Sequence, residues 1–133
     1  MLGALRDAIV RSDTVGTPIR WSDFDLDHDG YVDMLWLLHA GIGGESGRDR
    51  NAFWSLTSRM SGVWKNAQVY EVHEFVPGSM SQHMRIDRFS SLPELSMFRT
   101  GQRCEIGVFC HEFGHALGLP DLYDTSNFGS PGG

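Results

Sequence analysis

Apolar positions along the chain mark out two helical stretches, two strands and the loops between them. The most regular stretch is Cys104 to Leu117. It has no proline, and its apolar residues fall at 106, 109, 110, 113, 116 and 117, the spacing of a largely buried helix. Leu2, Leu5, Ile9 and Val10 share one face of a helix over residues 2–11. Tyr31 to Ala40 is apolar apart from Asp33 and His39, and predicts a strand buried on both faces. Ala67 to Val76 alternates, with Val69, Glu71, His73 and Phe75 on one side and Tyr70, Val72, Glu74 and Val76 on the other. That pattern predicts a strand with one better-buried face, ended by Pro77-Gly78. Residues 12–18 and 41–51 read as loops, and 52–60 read either as a short helix or as an irregular segment around Trp54. Residues 79–103 read as an inserted loop with a helical turn near 93–98.

The candidate chemistry lies on the last helix. His111-Glu112-Phe113-Gly114-His115 places two histidines four residues apart, hence one turn apart on one helix face. Their rings can aim two nitrogens at one point, and Glu112 sits on an adjacent face. Hydrolytic zinc chemistry needs this set: neutral imidazoles for the ion and a carboxylate to accept a proton from water. Gly118 stands where a helix commonly ends in a left-handed residue, and Pro120 forbids continuation. Asp121 follows six residues after His115, within reach of the same point as a third ligand. No glutamate occurs after Glu112, so Asp121 and Asp124 are the downstream candidates. Asp121 is preferred because it alone completes the three-residue spacing after the glycine; Asp124 reads as a turn or cap aspartate.

A second constellation is acidic. Asp25, Asp27 and Asp29 alternate, followed by Gly30, Tyr31 and Asp33. Hard cations take several oxygen ligands from a tight loop, so these carboxylates with the Tyr31 carbonyl form a candidate calcium site. The loop is not an EF-hand: its twelfth position is Trp36, and a strand rather than a helix is expected to follow. The alternative is a solvated acidic turn with Asp29-Gly30 as turn residues.

The remaining features narrow the picture. The chain has 133 residues, 41% of them hydrophobic, enough for one domain with a packed core. A net charge of −6 and no basic run argue against a nucleic-acid partner. No apolar run reaches the length of a membrane span. Met1 to Ser12 carries Arg6, Asp7 and Arg11 through its apolar positions and is expected to be an amphipathic helix rather than a signal peptide. Cys104 and Cys110, if both on the helix, lie about 9 Å apart, too far to bridge, and are expected as free, buried thiols. Gly41-x-Gly43 lacks the context of a phosphate cradle and reads as a surface loop. His28, His39, His73 and His83 have no close ligand partner and read as structural or surface residues.

Ile106 to Asp124, with Asp23 to Gly41 upstream, resembles the immune inhibitor A family of secreted bacterial metallopeptidases. The family's I-G-x-x-x-H-E-x-G-H-x-L-G-L-P-D-x-Y-D helix and its D-x-D-G-Y-V-D loop, leading into a strand ending in H-A-G, are both matched. The resemblance implies an α/β fold of the zincin or metzincin kind, a small twisted mixed sheet with the active-site helix packed on it. It implies a secreted zinc endopeptidase acting on protein or peptide substrates, with His111, His115 and Asp121 on zinc and Glu112 as general base. Residues 1–133 are then expected to be a single, cut-short catalytic domain. Two family features are not matched: a W-D-L-M segment bearing a methionine turn, and a histidine beside Phe53-Trp54-Ser55. The alternative expectation is therefore a calcium- and zinc-binding fragment that does not turn over.

Overall fold

The computed structural model describes residues 2–16, 19–47, 51–63, 69–96 and 98–121. A helix spans Leu2–Thr14 (α1), and a 3-10 turn spans Trp21–Phe24. Then come β1 (Leu35–Ile42), β2 (Leu56–Arg59), a single helical turn α2 (Met60–Val63), β3 (Tyr70–Phe75), β4 (His83–Ile86), β5 (Arg88–Leu95) and α3 (Ile106–Ala116). The strands form a mixed three-stranded sheet in the order β1-β5-β2 and a separate antiparallel pair, β3-β4. β1 runs parallel to β5, and β2 antiparallel to it. None of the described helices is long and apolar enough to cross a membrane.

The registers decide what each face of the sheet carries. Leu35 pairs with Phe89, Leu37 with Ser91 and Leu56 with Ser91, so these residues share one face. That face packs on Ile9 of α1, Trp21, Val32, Met60, Val72, Met84 and Ile86, which with Phe89 make the core. The opposite face carries Trp36, Ser90, Leu92 and Thr57, and α3 lies on it. Trp36 stacks on Phe109 and Phe113 with ring centroids 5.6 and 6.2 Å apart. The sheet is thus covered on one side by α1 and the β3-β4 hairpin and on the other by α3. Asp13 at the end of α1 fastens that helix, accepting hydrogen bonds from Trp21 Nε1 and the His73 amide at 2.9 Å each.

Residues 79–103 contradict the expected loop: they contain β4 and β5, the latter the central strand of the sheet. Buried serines and a proline hid it. Ser90 and Ser91 are fully buried, where an apolar pattern is looked for. Pro93 pairs with His39 of β1 but stands two residues past the end of the β2 pairing at Ser91, so no β2 neighbour needs its missing N–H. Residues 52–60, expected as a short helix or an irregular segment, instead hold the strand β2, and only Met60 begins the helical turn α2.

Three burial expectations are also corrected. β1 starts at Leu35 rather than Tyr31 and is not buried on both faces: Leu38 is 59% exposed, because β1 is an edge strand and α3 covers Trp36 but not Leu38. α3 is not largely buried either. Glu112 is its one buried residue, while Ile106 and Phe113 are exposed. Cys110 is exposed rather than a core cysteine, since two residues from Glu112 is about 200° round the helix. Both thiols are free. β3 keeps its better-buried side at Tyr70, Val72, Glu74 and Val76; residues 67 and 68 of the expected strand, and the side chains of Leu2 and Leu5 in α1, lie outside what is described.

Candidate metal centre

α3 begins after Glu105, whose extended backbone (φ −71°, ψ 148°) leads the chain in, and ends in a Schellman turn. Leu119 N–H donates to Gly114 O at 3.0 Å and Gly118 N–H to His115 O at 2.9 Å. Gly118 occupies the left-handed position at φ +90°, where a side chain is strained. A Cβ added at Gly114 would stand 3.7 Å from Leu119 Cδ1, the place of the apolar contact that frequently accompanies such turns. The turn sends the chain back along the helix face that carries the histidines.

Asp121 is thereby brought to both rings. Its Oδ1 lies 3.3 Å from His111 Nε2 and 3.2 Å from His115 Nε2, and the two Nε2 atoms lie 3.1 Å apart. His115 Nδ1 is 2.9 Å from Leu119 O, a bond it can make only as donor. In the neutral ring this leaves the Nε2 lone pair facing His111 and Asp121. Asp124 lies outside the described residues.

These three donors are the right kind for zinc, and their spacing suits it. Tetrahedral zinc with bonds of about 2.0–2.1 Å holds neighbouring ligand atoms about 3.3–3.4 Å apart. The three observed separations, 3.1, 3.2 and 3.3 Å, sit at or just under that edge length. Glu112 is 4% exposed, and its Oε2 has no hydrogen-bond partner among the described residues. An orphaned buried carboxylate oxygen costs on the order of 1–3 kcal/mol unless something occupies its lone pairs. Two other side chains hold the helix. Thr57 Oγ1 donates to the backbone carbonyl of Glu112 at 2.7 Å, and Arg88 Nη1 donates to that of Ala116 at 3.3 Å. Neither residue carried a signal in the sequence, since both reach the helix from strands far away in the chain.

The acidic loop is organised around Asp25, which is buried. Its Oδ1 accepts from Asp29 N–H at 3.1 Å and its Oδ2 from Gly30 N–H at 3.0 Å. Asp29 Oδ1 accepts from Tyr31 N–H at 2.8 Å, and Asp33 Oδ2 from Leu26 N–H at 3.0 Å. Gly30 sits at φ +84°, and an added Cβ would press on Val76 at 3.3 Å. Asp25, Asp27 and Asp29 each offer an oxygen within 4.8 Å of the others. Asp33 is not brought into that group, and the Tyr31 ring lies under the Arg85 guanidinium, 4.2 Å from its centroid.

The other histidines are elsewhere. His39 meets Phe53 edge-on, His83 Nδ1 bonds Val72 O, His73 pairs with Asp13, and His28 is exposed at φ 59°.

Comparison with known proteins adds the family. A sequence model described as the catalytic domain of immune inhibitor A peptidase M6 matches residues 22–132. Immune inhibitor A of Bacillus thuringiensis subsp. alesti is 34% identical over 104 residues, covering 76% of this chain and 14% of that protein. The pre-pro-metalloprotease PrtV of Vibrio cholerae serotype O1 (strain M66-2) is 28% identical over 102 residues, covering 77% of this chain and 10% of that protein. The chain therefore spans a small fraction of the length of these relatives.

Proposed function

Because the chain belongs to the immune inhibitor A peptidase M6 family, we propose that it carries the metal centre of a zinc-dependent endopeptidase. His111, His115 and Asp121 are the ligands in this reading, and Glu112 is the general base. One observation carries it: three nitrogen and oxygen donors from two turns of α3 and the segment after Gly118 stand at the mutual spacing of tetrahedral zinc. A zinc ion held there supplies Lewis-acid polarisation of a water and of the scissile carbonyl. The protein's own share is positional and protonic. His115 is oriented by Leu119 O. Glu112 Oε2, without a partner among the described residues, takes the proton of the attacking water and passes it to the leaving amine.

In the same reading the mixed sheet with α3 on one face is the zincin or metzincin arrangement, and the substrates are proteins or peptides met outside the cell, as the family resemblance implies. Asp25, Asp27 and Asp29 hold a structural calcium ion that fixes the entry to β1, supported by the convergence of their oxygens. A second reading, a metal-binding piece that does not turn over by itself, draws on the small share of its relatives that the chain spans.

The test uses zinc-quantified protein in a casein-digestion assay with and without chelator. Glu112→Ala should abolish cleavage and leave zinc bound at one equivalent. Cleavage retained in that variant refutes the base assignment. Zinc bound by the unaltered chain without chelator-sensitive cleavage selects the second reading.

A further inference from the structure

One flank of α3 is apolar and open. Ile106, Cys110, Phe113 and Leu117 follow one another at steps of three and four residues, so they form one stripe along the helix. Ile106, Phe113 and Leu117 are 44–75% exposed among the described residues, and Cys110 is exposed with them. His111 and His115 each stand two residues from Phe113, about 160° round the helix, so the stripe and the metal ligands look in opposite directions. The floor beside the stripe is open as well. A helix covers about 10 Å of sheet, two strand spacings, and α3 lies over β2 and β5. Trp36 of the remaining strand, β1, is reached by Phe109 and Phe113 from the side. Leu38, two residues further on the same face, stays exposed. Over β1 there is thus room for one more helix, between an apolar floor and an apolar wall.

Taking roughly 200 Å² for a fully open large apolar side chain, the exposed fractions of Leu38, Ile106, Phe113 and Leu117 amount to about 500 Å². The largest apolar patch on an ordinary monomer is roughly 300–600 Å². Doubled across a two-fold axis, this one reaches about 1,000 Å², the least area at which a specific interface holds. Charge narrows the occupant further. β1 has no Asp, Glu, Lys or Arg, and between 106 and 119 the only one is Glu112, which is buried. Edge strands are ordinarily guarded by such charges. Nothing on this flank suits a phosphate, a nucleic acid or a lipid headgroup. We propose that it is where two copies of the chain associate, the α3 stripe of each copy lying against the other's stripe and over its β1. Each copy supplies the same helix and the same uncovered strand, so wall and floor are both self-complementary. The metal centres face outward from the contact, and nothing in it depends on the metal reading. Each chain carries a net charge of −6, so distant charges repel and salt should tighten the pair.

Sedimentation equilibrium of the full chain, from low micromolar to near-millimolar concentration and at low and high salt, is the test. The weight-average mass of the unaltered chain should climb toward that of two chains, and do so at lower concentration in high salt. Ile106→Glu puts a charge into the stripe at the first helical position, where a carboxylate suits the helix. Leu38→Lys puts one into the floor. Each should raise the dissociation constant of the dimer about tenfold or more. Met80→Glu, at an exposed site between β3 and β4, should change nothing. An unaltered chain of single mass at every concentration overturns the proposal and leaves the flank to the helix of a different polypeptide. A dimer that Ile106→Glu does not weaken also overturns it, since another surface then holds the pair. If Leu38→Lys does not fold, Ile106→Glu decides alone.

Discussion

Gly118→Ala isolates the turn that carries Asp121 to the histidines. The glycine sits at φ +90°, and an added Cβ would meet nothing within 4 Å. The penalty is therefore conformational and not a clash. An L-residue in the left-handed region costs about 1–2 kcal/mol, and two outcomes are open to the chain. If the turn holds, the cost appears as lost stability, and about 1 kcal/mol lowers Tm by roughly 3–5 °C in a domain of this size. If the turn relaxes, the bonds from Leu119 to Gly114 O and from Gly118 to His115 O lengthen, and Asp121 Oδ1 leaves its place 3.2–3.3 Å from the rings. Zinc binding would then have to restore the turn, and 1–2 kcal/mol charged against binding is about a 5- to 30-fold weaker Kd. Calorimetric Tm of the metal-free protein and zinc titration of the same preparation separate the two. Gly118→Asn should lose less by either measure, because asparagine tolerates this conformation better. An alanine variant matching the unaltered chain in both Tm and zinc affinity would show that the turn does not determine where Asp121 stands.

Asp121→Asn should weaken zinc binding at least tenfold while Asp124→Asn leaves it unchanged, both read by chelator competition; the reverse order would move the third ligand to Asp124. Asp25→Ala should cost about 1–3 kcal/mol even in calcium-free buffer, because the Asp29 and Gly30 amides lose their acceptor, and urea unfolding measures it. Adding calcium should raise the Tm of the unaltered chain but not that of Asp25→Ala. The Ser96 hydroxyl donating to Glu105 Oε1 at 2.7 Å holds the Glu105 carboxyl below its ordinary range. A depressed folded-state value stabilises the fold above the unfolded-state pKa, about 4.3 for glutamate. That contribution is lost as the pH falls through the folded value. Ser96→Ala should therefore flatten the stability profile below about pH 4.3, as followed by urea midpoints against pH.

The candidate site was more legible in the sequence than the fold around it, for a physical reason. His111, Glu112, His115, Gly118 and Asp121 act over short separations, where helix periodicity and turn chemistry determine the geometry. The regular strand β3 was legible from its alternation, and β1 from its apolar run, although its edge position was not. β5 was illegible because its central place depends on pairing with two distant strands, and its buried positions are filled by Ser90, Ser91 and Pro93. The serines make sense only in the folded sheet: Ser90 faces Thr57 beneath the helix. The apolar residues of α3 misled in the opposite direction. Ile106 and Phe113 fit a buried helix by type, yet both stay exposed, although Phe113 stacks on Trp36 at the β1 end of the sheet. Hydrophobic spacing reports which residues share a face, and not how completely another element covers that face.

A crystal of the zinc-loaded chain, with diffraction recorded on either side of the zinc absorption edge, would reveal the ligand set itself. One anomalous peak is expected, about 2.0–2.2 Å from His111 Nε2, His115 Nε2 and an Asp121 oxygen together. A peak elsewhere, or one reached by the two imidazoles while Asp121 faces solvent, would contradict it.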